Sequence, residues 1–488
     1  MPGVVVTTGA VAGPSAPTIA PSATYFAVGL TERGAANTPT LITSFAQFEA
    51  VFGQATSYSA LHDDVKMFFA EGGTRVYCQR VVGASATTGV LTGGLQDRNG
   101  TPATTLNVAA KAAGAWSTQV SIKVLDGSTS GTFRIQLYLS GVLIKDYTNL
   151  HSPQEAVSRV NGDSTNFYVV LSDAGSASSA PNNNPVALSN PVALAAGTDD
   201  RASVVAATYV AALANFDSGL GDGAVSIPGL GPSVHAGLIA HADTYNRIAI
   251  LVEARTADKG TLEGTAAALD AKRAGLFAPW VRVPDAFGGT KTISPEGYVA
   301  ASRARAHNTV GPWQSAAGEI SKARYVLMPD IMYSAADGNE LDGAKVNAIR
   351  TVAGAVRVYG WRSLSSDTDN WAFLKDADVV NRVVTESYAR LEPYLFAVID
   401  AKGQLRSQIA GTLEGIVLPM ATASGLFPRI AADGTQLDPG YKVNVGDDIN
   451  PVASLAQNQI LATLGIRISP TAAMVFLTVT KAAVTAAL

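Results

Sequence analysis

The first 31 residues carry no charged side chain, and from Ile468 to Leu488 the only charge is Lys481. Two apolar, uncharged ends of this kind must be covered, by the chain's own core or by another molecule. The N-terminal end holds Val4, Val5, Val6 and Thr7, a β-branched run suited to a strand. Pro14, Pro17 and Pro21 follow at a spacing that resists helix and favours extended chain. The C-terminal end holds Val475, Phe476, Leu477, Thr478 and Val479, also strand-like. One reading packs both strands into the chain's own fold. The other makes them arms that add to the sheet edge of a neighbouring subunit. An unprotected strand is an aggregation hazard, and a chain that keeps two of them is expected to use them.

Composition supports association. Of 488 residues, 47% are hydrophobic and only 15% charged, against a usual charged share of about 25%. That apolar content excludes a disordered chain. The length predicts two or three domains. The longest apolar runs, such as Ile248 to Val252, are strand-length, far short of the roughly 20 residues that cross a bilayer. Net charge is −4 with no basic block, which argues against nucleic-acid binding. Cys78 is the only cysteine, so no intrachain disulfide is possible, and its strand-like setting predicts a buried structural thiol. The N-terminal stretch lacks the pattern of a signal peptide, so synthesis and assembly in the cytoplasm are expected.

Periodicity divides the chain. Residues 25–82 read as strand, two helices and strand, with Phe45, Phe48 and Phe52 on one helical face and Ser44 as N-cap. Residues 83–198 are rich in Gly, Ser, Thr, Asn and Ala, with short alternating strands, and read as an inserted, mostly β domain on the outside. Residues 199–337 alternate helices with buried strands, an α/β layer pattern; helix is predicted over 261–274 and strand over 278–283. Residues 338–470 read as α+β, with a helix near 376–391, strands over 356–361, 413–418 and 441–445, and a helix near 451–464. Residues 1–24 and 471–488 are the extended arms.

The chain shows no catalytic constellation. His62, His151, His235, His241 and His307 form no HExxH zinc site. No G-x-S-x-G elbow or Ser/His/Asp arrangement is legible. Gly288-Gly289-Thr290-Lys291 lacks the glycine that a phosphate loop needs before its lysine. Asp337 to Asp342 misses calcium-loop spacing and reads as a polar turn. No catalytic, cofactor or metal residue is assigned.

A series of short motifs resembles the sheath proteins of contractile tails. They include Pro2-Gly3-Val4, Thr31-Glu32-Arg33-Gly34-Ala35, and Thr43-Ser44-Phe45 running to Phe52-Gly53. Phe68-Phe69-Ala70-Glu71-Gly72-Gly73 and Val76-Tyr77-Cys78-Gln79-Arg80 follow. Further on come Ile227-Pro228-Gly229, Ala278-Pro279-Trp280, Ser294-Pro295-Glu296-Gly297-Tyr298 and Gly311-Pro312-Trp313-Gln314. Val346-Asn347-Ala348-Ile349-Arg350 then precedes Tyr359-Gly360-Trp361-Arg362-Ser363-Leu364. Each is weak alone, and their order and spacing carry the resemblance. Ala35, Thr7 and Thr8 depart from the family pattern.

The resemblance implies a subtilisin-like central α/β domain plus an α+β C-terminal domain, with the inserted β domain outside. It implies a helical stack of hexameric rings around an inner tail tube, with baseplate and tail terminator proteins as further partners. The C-terminal domain would lie innermost, which makes the helix near 451–464, with Ser454, Gln457, Asn458 and Leu461, the candidate tube-facing element. Phage tail, tailocin and bacterial contractile injection system stay open. Rival readings are another self-assembling virion or surface protein, such as a capsid or adhesin, and a hydrolase on a subtilisin-like core.

Overall fold

The computed structural model describes residues 21–285, 288–474, 477 and 481. The chain forms two compact units. Of the described residues, the larger holds those up to Thr309 and Ala316–Asp378; the smaller holds Val310–Ser315 and those from Val379 onward. The architecture is mixed α/β with several sheets.

An eight-stranded sheet organises the larger unit. Its order is Ala355–Val358, Val346–Val352, Ala274–Ala278, Ile248–Val252, Ala224–Ser226, Tyr25–Gly29, Val76–Arg80 and Thr40–Ile42. The six inner strands are parallel, and the two edge strands run antiparallel to their neighbours. Tyr25–Gly29, Ile248–Val252 and Ala274–Ala278 are buried at every residue, as strands covered on both faces must be. The period of two sends alternate side chains to two cores. Tyr25, Ala27, Cys78, Ile248 and Ile250 pack under helices Phe45–Phe52, Leu61–Ala70 and Glu296–Thr309. Phe26, Val28, Ala249 and Leu251 pack under helices Ala206–Ala212, His235–Tyr245, Lys259–Ala267 and Ala335–Gly343.

Local chemistry sets these elements. Ser44 caps the first helix by accepting the N–H of Gln47 at 3.2 Å. Helix Glu296–Thr309 is buried from Glu296 to Ala306, between the large sheet on one side and helix Leu61–Ala70 with the turn Gly318–Ser321 on the others. At Gly297 a Cβ would stand 2.3 Å from the carbonyl oxygen of Asp64, so this crossing requires glycine. Cys78 is fully buried.

Within the larger unit, residues between Leu91 and Leu194 build a separate apolar core. A four-stranded antiparallel sheet of Val192–Ala193, Val120–Asp126, Phe133–Leu139 and Val142–Leu150 contributes to it. So do a three-stranded sheet of Leu95–Gln96, Thr104–Ala110 and Val169–Asp173, and helix Pro153–Gly162. The chain enters and leaves side by side: Thr87 and Thr198 exchange main-chain hydrogen bonds, and Gly83 N–H donates to Asp199 O.

The smaller unit packs the later part of helix Leu374–Leu391 with helix Gln404–Thr422 and two short ribbons. Here several elements differ from expectation. Residues 413–418 are helical, inside Gln404–Thr422. Ile416-Val417-Leu418 between Gly415 and Pro419 imitates a bounded strand, but Leu405, Ile409, Leu413, Ile416, Val417 and Met420 form one buried helical stripe. Residues 451–464 are not one helix. Helix Val452–Leu455 stops, Asn458 turns left-handed at φ +59°, and strand Thr463–Ile466 follows. In the larger unit the predicted helix over 261–274 ends at Ala267, so Ala274 opens a strand. The predicted strand over 278–283 is two, Ala274–Ala278 and Val281–Pro284, since Pro279 lacks the N–H that continuous pairing needs. Asp337 lies in helix Ala335–Gly343, where it completes a capping box with Ser334.

Candidate assembly elements

Assembly requires surfaces left unpaired in a single chain, and the smaller unit carries such a surface. Strands Tyr441–Asn444 and Thr463–Ile466 pair antiparallel, with Tyr441 opposite Ile466 and Val443 opposite Leu464. These four side chains face the unit's core. Among the described residues this sheet has no third strand, so both outer edges can accept one.

The predicted arm residues Val4, Val5, Val6, Thr7, Val475, Phe476, Thr478 and Val479 lie outside the described residues. Leu477 is described and exposed. The candidate tube-facing residues are not brought onto one helical face. Ser454 lies in the short helix, Gln457 and Asn458 lie in the turn after it, and Leu461 lies in an extended connection. Leu461 is tied there by Asn450, whose amide bonds both its main-chain N–H and its C=O at 2.7 and 2.8 Å.

Asn458 does line a feature that sequence reasoning missed. A cleft of roughly 1280 Å3 opens within the smaller unit, bordered by Leu395, Phe396, Val398, Arg406, Val452 and Asn458. Phe396 is fully exposed and held at φ +64°. Leu395 and Val398 beside it are exposed as well, so the cleft carries a run of uncovered apolar side chains.

The root of the N-terminal segment is held by a buried polar network, also missed. Arg303 Nε and Nη2 donate to Asp378 Oδ1 at 3.0 and 2.6 Å, and Arg303 Nη1 donates to the carbonyl of Ser22 at 2.6 Å. His307 Nδ1 lies 3.0 Å from Ser22 Oγ and its Nε2 lies 3.4 Å from Asp378 Oδ2. The Arg303, His307 and Asp378 side chains are 1% exposed. Burial and then the charge of Arg303 hold the His307 imidazole below its ordinary pKa, against Asp378 and Asp222. Burial works against the Asp378 carboxylate, but Arg303 and His307 outweigh it and keep it ionised to lower pH than usual. Ser22, His307 and Asp378 do stand in a Ser–His–Asp string, contrary to the sequence reading. The string gives no room for a substrate at a 1% exposed imidazole, so it is a structural tie. No residue pattern signals it, because Ser22 and His307 lie 285 positions apart.

Each of the remaining histidines has a polar neighbour, from buried His241 to exposed His151. His235 bonds Val252 O at 2.9 Å. His241 Nε2 accepts from Arg247 at 2.8 Å, and burial and then Arg247 lower its pKa to about 3. His62 lies 3.4 Å from Glu49, and His151 lies 3.0 Å from Glu155. Among the described residues no group of His, Cys, Asp and Glu could hold a metal ion, and no helix is long and apolar enough to cross a membrane.

The fold is that of contractile sheath proteins. The chain aligns over 93% of its length with 96% of the sheath tail protein of Listeria innocua, at TM-score 0.63 and 13% identity. It aligns over 99% of both chains with the helical sheath of the anti-feeding prophage in its contracted state, at TM-score 0.57 and 12% identity. The PVC sheath of an extracellular contractile injection system, also contracted, aligns over 99% of both chains at TM-score 0.56 and 12% identity. Scanned against family models and curated proteins, the chain matches none.

Proposed function

We propose that this chain is a non-catalytic sheath subunit. It polymerises as a helical stack of hexameric rings around an inner tail tube and contracts to drive that tube through a target envelope. The observation that carries the reading is the end-to-end likeness of fold to sheaths of contractile particles. The open ribbon of Tyr441–Asn444 and Thr463–Ile466 supports it, since it offers two edges and the chain has two uncharged strand-forming ends.

In this reading the terminal arms complete the ribbon of a neighbouring subunit. Connectivity then survives while subunits slide and rotate, and a repeated heterologous contact generates the helix. Burying Val475, Phe476, Leu477 and Val479 would contribute about 1.5–3 kcal/mol each. A subtilisin-like core positions the rings, the domain of residues 83–198 faces outward, and the C-terminal domain of residues 338–470 lies innermost. Baseplate and terminator proteins bound the polymer. The assembled particle forms in a bacterial cytoplasm, as part of a phage tail, a tailocin or an injection system.

Negative-stain microscopy of the full chain, with and without a co-expressed tail-tube protein, tests the reading. Chains starting at Ser22 or ending at Pro470 are imaged beside it. Striated tubes from the full chain, and rings or monomers from either truncation, are expected. Failure of the full chain to form tubes even with the tube protein would sink the sheath reading. Tubes from the truncations would sink the arm mechanism alone.

A further inference from the structure

The Arg303, His307 and Asp378 network does more than fill a core. A buried ion pair contributes little net stability over an apolar filling, because two charges lose their hydration. Here the pair is arranged around a third element. Asp378 engages two nitrogens of the guanidinium through a single oxygen, which leaves Nη1 pointing at the Ser22 carbonyl. The planar fork fixes that direction, as a lysine could not. His307, one helical turn beyond Arg303, reaches the hydroxyl of the same residue.

Ser22 therefore has both its carbonyl and its hydroxyl bound by buried side chains. It lies just before the central strand Tyr25–Gly29, and the residue before it, Pro21, is exposed. Thr24 Oγ1 closes the turn by donating to Pro21 O at 2.6 Å, and Thr24 O accepts from Ala224 N at 3.0 Å.

We propose that Arg303, His307 and Asp378 are the mooring of the N-terminal arm. They hold the chain at Ser22, so that tension along the arm passes into the buried helix Glu296–Thr309 and helix Leu374–Leu391. The mooring rests on the sheath reading for its purpose, but its geometry can be tested without it. An arm that links subunits transmits displacement only if its root does not peel from the core. Water competes poorly for bonds formed at side chains this buried. Ser22, Arg303 and His307 are positioning residues for the arm.

The test uses the full chain and three variants. Arg303→Lys keeps the charge facing Asp378 and removes the fork that reaches Ser22. Ser22→Ala removes the hydroxyl alone, and the third variant combines both. Each is digested briefly with thermolysin under native conditions, and cuts between residues 19 and 26 are timed by mass spectrometry. The same samples are assembled with tail-tube protein and sedimented. For the double variant, cutting in that window should be about 10-fold faster or more, the size expected for losing hydrogen bonds to a charged group. Yield of sedimentable tubes should drop, while cutting elsewhere stays at the wild-type rate. Unchanged cutting between 19 and 26 overturns the mooring. If Arg303→Lys does not fold, Ser22→Ala decides alone, with about 3-fold faster cutting expected. If the wild-type chain forms no tubes with the tube protein, the sheath reading fails, and the cutting rates still judge the mooring.

Discussion

Glu71 holds Tyr325 through its main chain: Glu71 Oε1 accepts the Tyr325 N–H at 2.8 Å. The same carboxylate accepts the N–H groups of Arg324 and Val326 at 2.9 to 3.0 Å, and it is fully buried. Three successive main-chain donors aimed at one anion make a nest that only a carboxylate fills well. Glu71→Gln turns one acceptor into a donor facing N–H groups. Denaturant unfolding should show a loss of about 2–4 kcal/mol. A loss under about 0.5 kcal/mol would mean that the nest is filled some other way.

Glu296 and Asp64 are both fully buried carboxyls in contact with the same structure. Gly229 N–H donates to Glu296 Oε1 at 2.8 Å, and Tyr25 O–H donates to Asp64 Oδ2 at 2.8 Å. Burial raises Glu296 from 4.5 to about 7. The native state therefore binds a proton there that the unfolded state has released, so stability falls as pH rises from 4.5 through 7. Glu296→Gln removes this term. Relative to wild type it should gain stability between pH 5 and pH 8, by at most about 3 kcal/mol. Parallel urea curves at the two pH values with a constant difference would refute it.

His241 carries the opposite sign. Its pKa drops from 6.5 to about 3, because it is buried and accepts from Arg247. The unfolded state then binds the extra proton, so stability is lost as pH falls from 6.5 toward 3. His241→Gln keeps an acceptor for Arg247 and removes the titration. The variant should flatten the acid limb of a thermal-melting profile relative to wild type. An identical acid limb in both proteins would place the titration elsewhere.

Gly297→Ala tests the tightest helix crossing. The added methyl would stand 2.3 Å from Asp64 O and 2.9 Å from its Oδ1, and backbone cannot move aside as a side chain can. A loss of about 2–3 kcal/mol is expected by denaturant titration. A neutral result would mean that the two helices can separate at low cost.

Where a stretch has one clear period and its own stop signals, the sequence was legible. Ser44, Phe48 and Phe52 announce helix Phe45–Phe52, and the apolar run Ile248–Val252 is the buried strand that it reads as. The errors fall where two periods compete. Residues 413–418 carry a strand-like run inside a helical stripe, and the longer stripe wins because it buries six side chains on one face. Residues 451–464 have helical composition, but Asn458 at φ +59° ends the helix, and Asn450 fixes Leu461 in extended form. Local propensity is a weak prior when a short segment can pair with a strand already present.

By itself the sequence set the expectation that this chain associates: its charge is sparse, and its ends are uncharged and strand-forming. Those properties depend on composition along the chain, and no partner is needed to read them. Tertiary structure alone decided where the chain is held and where it stays open. The network joining Ser22, Arg303, His307 and Asp378 spans more than 280 positions, and the two bare edges of the Tyr441–Asn444 ribbon exist only because no third strand folds beside it among the described residues. Hydrogen-bond satisfaction is a property of neighbours in space, and neighbours distant in sequence leave no period or spacing from which they can be read.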